Sequence, residues 1–125
     1  MPKASRASAS QAEDFGIMEG HYEELGGYLV GFETFREDTD TAALFKGLPD
    51  DRCQAAHWGY VFKGSVTFHF ADHDETYEAG DAYFAPPGHT TTLIAGTDVV
   101  EFSETDAYNR TMEVVAKNLG AMQSA

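Results

Sequence analysis

The sequence predicts an all-β domain followed by a single C-terminal α-helix, on three observations. Val66, Phe68 and Phe70 alternate with Thr67 and His69, the period of two expected of a strand with one buried face. Turn residues recur at short intervals, with Gly64, Gly80-Asp81 and Pro86-Pro87 each closing an extended run. Near the C-terminus the period changes, and Met112, Val115, Ala116 and Leu119 recur at i, i+3, i+4 and i+7.

Residues 1–14 open with MPKASRASASQA, which is small and polar, has no periodic apolar face and is expected to form a disordered tail. It has no apolar h-region and does not read as a secretory signal. The β-structure is assigned to residues 15–104. There GYLVGFETFR, from Gly27 to Arg36, mixes β-branched and aromatic residues in partial alternation and predicts a strand. The acidic turn EDTDT follows, and TAALFKGLPDD reads as a short strand or loop in which Pro49, Asp50 and Asp51 favour chain reversal.

A strand from Cys53 to Lys63 is expected to end at Gly64, and the alternating strand comes next. ADHDE makes a turn, Tyr77 and Glu78 begin the return, and Ala82–Ala85 form another strand. Pro86 and Pro87 cannot donate to a ladder, so that bend belongs at a rim. Val99–Phe102 closes the sheet. Residues 105–120 are the predicted helix, with Thr105 or Asp106 as cap and Gly120 at its end.

The chain's 125 residues suit one core. Its single cysteine excludes an intramolecular disulfide and fits a reducing compartment, so a cytoplasmic location is expected. Eight basic against twenty-one acidic side chains give a net charge of −13. Such a surface repels phosphate backbones, so nucleic acid and anionic membranes are not expected partners. No apolar run approaches the length needed to span a bilayer. Serine nucleophile elbows, phosphate-cradling glycine loops and CxxC pairs are absent from the sequence.

CQAAHWGYVFKG and GDAYFAPPGHT resemble the two motifs of the cupin superfamily. In the first motif six residues separate a metal-binding Glu from a turn Gly, with a His-x-His pair upstream. Taking Gly64 as that Gly, His57 occupies the Glu position, and Asp51 and Cys53 occupy the two His positions. Gly80, Pro86 and Gly88 match the second motif; its His position holds Thr91, and a His stands at 89. The longer runs KGLPDDRCQAAHWGYVFKG, YEAGDAYFAPPGHT and VVEFSETD are similar to those of small bacterial single-domain cupins. The resemblance covers roughly residues 41–119. It implies a cupin-type jelly-roll β-barrel, a site inside the barrel and a homodimer.

On a regular strand, Cys53 and His57 are four apart and point the same way, which in a cupin is the interior. His89 stands two residues before the usual ligand position and faces inward if the chain there is extended. A thiolate with two imidazoles makes a sensible divalent-metal site, zinc or iron, with Cys53, His57 and His89 as ligands. Bland readings stand beside this one: Cys53 as a small buried hydrophobe, His57 as a core histidine bonded within the barrel, His89 as a rim residue bonded to backbone. His69 alternates outward, and His21 and His73 belong to the surface. Trp58 and Tyr60 should face away from His57. Phe32 or Phe35, Val61, Phe68, Phe70 and Leu93 are the expected pocket wall, suited to a small, partly apolar molecule. Two functions remain open: a metal-dependent enzyme of unassigned reaction, or a metal-free binding or sensory barrel without turnover.

Overall fold

Alternation along the strands lets two antiparallel sheets bury one face each against the other, and that is how the chain folds. The computed structural model describes residues 2–123. The strands are β1 (Gln11–Asp14), β2 (Met18–Leu25), β3 (Tyr28–Phe35), β4 (Thr39–Asp40) and β5 (His57–Lys63). They continue with β6 (Ser65–His69), β7 (Asp74–Glu78), β8 (Ala82–Ala85), β9 (Thr90–Leu93) and β10 (Asp98–Glu104), and helix α1 (Thr105–Gln123) ends the fold. One sheet has the order β1-β2-β3-β10-β5-β8, the other β4-β9-β6-β7. Phe35, Val61, Val66, Phe68, Tyr83, Ala85, Leu93 and Val99 form the core between them.

Several expectations are corrected in detail. Residues 11–14, expected within the disordered tail, form β1 in antiparallel register with β2. The edge of β2 offers free backbone groups, and Ser10 donates to Glu23 while Arg36 pairs with Asp14, which holds the strand in place. Arg6 stacks 5.8 Å from the Phe32 ring centre and pairs with Asp98. The segment before Lys63 is not one strand: β5 starts at His57, and Cys53 lies in an isolated bridge with His89. TAALFKGLPDD contains short 3-10 turns at Thr41–Ala43 and Pro49–Asp51. Helix α1 runs through Gly120 to Gln123, and Ala116, expected on its packed face, is exposed.

Glycines set the position of two buried tyrosines. Gly31 pairs with Tyr22 across β2 and β3, and Gly59 pairs with Tyr83 across β5 and β8. A β-carbon on Gly59 would fall 2.4 Å from the Tyr83 ring, and one on Gly31 would fall 2.8 Å from the Tyr22 ring. Each ring therefore lies flat over a strand position that only glycine can fill. Gly64 is needed for a separate reason, since its φ of +76° is left-handed and a β-carbon there would strike Thr97. The outer face of the larger sheet carries Tyr28, Trp58, Tyr60, Phe62, Phe84 and Phe102, all exposed.

Candidate functional site

A cavity of about 120 Å³ lies inside the barrel. It is of the order of the ~150 Å³ void that accepts a benzene ring. Both sheets and α1 line it, the helix contributing Tyr108, Thr111, Met112, Val115 and Leu119. Two polar clusters interrupt a wall that is otherwise largely aromatic and aliphatic.

The first cluster is Cys53, His57 and His89, all buried, with one potential ligand atom from each lying within 4.8 Å of the others. Backbone pairing brings it together: the Cys53 N–H donates to the His89 carbonyl at 2.8 Å, and the Gly88 N–H donates to the Cys53 carbonyl at 2.8 Å. The expected regular strand is therefore unnecessary, because the bridge does its work. His57 opens β5 with Nδ1 2.7 Å from Ser103 Oγ, and its Nε2 lies 3.7 Å from Cys53 Sγ. His89 donates from Nδ1 to the Pro86 carbonyl at 2.9 Å, which leaves a lone pair on Nε2. That Nε2 has no hydrogen-bond partner among the described residues, although His89 is only 1% exposed.

The donor set fits a divalent metal. A tetrahedral zinc with sulfur and nitrogen ligands spaces those atoms about 3.6 Å apart, close to the Cys53–His57 separation. Burial holds both imidazoles neutral, as ligands must be, pushing His57 and His89 down to about 4; the neighbouring His57 adds to the effect on His89. Burial also pushes the Cys53 thiol up to about 11, so a bound metal must displace its proton.

The second cluster is Glu33 and Glu101 with three phenols. Tyr22 donates to Glu33 at 2.8 Å and Tyr83 to Glu101 at 2.5 Å. Tyr108 stands beside Tyr22, with ring centres 5.9 Å apart. Burial raises both carboxyls well above their usual range; the charge of Glu101 raises Glu33 further, while the phenol bonds pull the other way. Glu101 also approaches His57 Nδ1 at 3.9 Å, so the two clusters meet at that imidazole.

The remaining candidates fall outside both clusters. Asp51 and Thr91, at the usual motif positions, bond to the Gly47 N–H and to Thr41. His69 reaches Thr92 and Asp74, and His73 pairs with Asp72 and Glu75. Phe32 lies under Arg6, whereas Phe35, Phe68 and Leu93 line the cavity. Trp58 and Tyr60 face outward as expected. The glutamates were not among the expected site residues. The alternation of Glu33 with Phe35, and of Glu101 with Val99 and Ser103, carried their inward orientation.

The family model of the AraC-like ligand binding domain matches residues 36–105. The chain belongs to that family. No curated protein matches it. Among solved structures it is similar to a protein of unknown function from Rhizobium leguminosarum bv. viciae, with 17% identity over 82% of this chain and 95% of that one, and a TM-score of 0.59. An RmlC-like cupin from Shewanella frigidimarina shares 15% identity over 81% of this chain and 88% of its own, at a TM-score of 0.55. KdgF from Halomonas sp. shares 17% over 75% and 86%, at 0.52. The jelly-roll barrel with a C-terminal helix is thus a small cupin domain. Among its described residues, no helix is long and apolar enough to cross a membrane.

Proposed function

We propose that this cupin binds a small, partly apolar molecule in the barrel cavity beside a divalent metal, zinc or iron, held by Cys53, His57 and His89. The observation that carries this reading is the convergence of three buried donor atoms within 4.8 Å, His89 Nε2 among them unpartnered. Cys53, His57 and His89 would hold such an ion through three ligand atoms, and the chemistry it would supply there is Lewis-acid polarisation of an oxygen-bearing molecule in the cavity. Ser103 and the Pro86 carbonyl orient the two imidazoles through Nδ1, the usual support for a metal-ligating histidine. The largely apolar wall and the ligand-binding family support small-molecule recognition.

Elemental analysis of protein purified without chelator or histidine tag tests the metal. About one equivalent per chain is expected in wild type, with most of it lost in His57→Ala and in His89→Ala. Full metal content in both variants would sink the assignment. The buried, neutral Cys53 thiol favours a second reading, a metal-free binding barrel. In that case wild type carries no metal and still binds its ligand after chelator treatment.

The exposed aromatic face of the larger sheet supports pairing of two copies. Sedimentation velocity should show a dimer that Trp58→Glu converts to a monomer; a monomeric wild type would refute the pairing.

A further inference from the structure

We propose that the cavity is a site for a small organic cation, a primary ammonium on a short apolar body, held between the Glu33 and Glu101 carboxylates. The inference goes beyond the metal assignment and does not depend on it.

Charge selects the sign of the ligand. Glu33 and Glu101 are the two acidic residues lining the cavity, and no Lys or Arg lines it among the described residues. Two carboxyls on one wall of the cavity, with no basic side chain there among the described residues, are complementary to a cation seated between them. The whole chain, at net charge −13, favours the approach of cations over anions.

Geometry gives an ammonium its acceptors. Glu33 pairs with Val99 and Glu101 with Gly31 across β3 and β10, which makes the two glutamates diagonal neighbours on the inner face of the sheet. A phenol holds Oε2 of each. Glu33 Oε1 has no hydrogen-bond partner among the described residues, and Glu101 Oε1 has only His57 Nδ1 at 3.9 Å. Each glutamate is thus fixed through one oxygen and retains acceptor capacity on the other.

The other walls supply the rest of the recognition. Tyr22 and Tyr83 meet the carboxyls through their hydroxyls, and Tyr108 lines the cavity beside Tyr22, where an aromatic ring attracts a desolvated cation. Phe35, Phe68 and Leu93 provide an apolar lining for a short carbon chain, and the cavity volume limits it to a few carbons. Independently of the acids, the 1% exposed His89 lines the same cavity with an unpartnered Nε2, so that end too is built to receive a bound species.

Isothermal titration of chelator-treated protein at pH 8 with n-butylammonium chloride, n-butanol and sodium butyrate tests the proposal. Butylammonium should bind at least about tenfold more tightly than butanol, with butyrate weaker still. Glu33→Gln and Glu101→Gln keep an acceptor for each phenol; each should weaken butylammonium about fivefold or more and leave butanol within about twofold. Equal affinity for butylammonium and butanol, or no butylammonium binding by wild type, would overturn the proposal without any variant having to fold. Undiminished butylammonium binding in both folded variants would overturn it as well. Metal content, measured separately on the same preparations, reports on the Cys53–His57–His89 assignment alone.

Discussion

The two ends of the cavity are built from opposite chemistry and answer burial in opposite directions. At the thiol–imidazole end, burial lowers His57 and His89 and raises Cys53, so all three groups are neutral. At the carboxyl–phenol end, it raises Glu33 and Glu101 towards neutrality, leaving their charge conditional. The same dry wall therefore turns one cluster into lone-pair donors and the other into a charge reservoir. Desolvation sets both, while the residue type decides what each can hold.

Phe68 joins the two ends most directly, because its ring touches both. It lies 4.8 Å from His89 and 5.4 Å from Tyr83 between ring centres, and it is 1% exposed. Phe68→Ala should cost about 3–5 kcal/mol in urea unfolding. A loss below about 1 kcal/mol would mean that the two ends are packed independently.

A smaller effect sharpens the contrast through pH. The folded-state pKa of Glu33 is raised from 4.5 to about 7. Its stabilising contribution is therefore fully present below pH 4.5 and lost as pH rises through 7. Glu33→Gln carries no charge at any pH and should gain on wild type from pH 5 to 8, by on the order of 1–3 kcal/mol. The histidines, lowered from 6.5 to about 4, run the other way: their contribution is present above 6.5 and lost as pH falls through 4. Metal-free wild type should thus lose stability on both sides of a middle range, and a thermal-melt series in which Glu33→Gln tracks wild type at pH 8 would contradict this account.

The thiol–imidazole end was legible because its residues lie in local motifs whose spacing survives even though the ligand types change. His57 and His89 sit a few residues from Gly64 and Gly88, and the turns keep them in place. The carboxyl end draws on β3 and β10, far apart in the chain, and only their register makes Glu33 and Glu101 diagonal neighbours. Period-two alternation put each glutamate on an inward face, yet no local pattern joins the two. The N-terminal strand was illegible for a similar reason. QAED has little intrinsic strand character, and it pairs because the neighbouring edge of β2 is free. The helix period was clear, but its end was not, since Gly120 is carried within the helix without serving as its stop.

The tyrosine resting on Gly59 ties together two positions far apart in sequence. If Gly59 acquires any side chain, Tyr83 must leave its place, and Glu101 loses the hydroxyl that holds it. In descendants of this chain the three positions can drift only as a set, so a glycine with no functional group of its own is inherited together with the buried carboxyl–phenol pair.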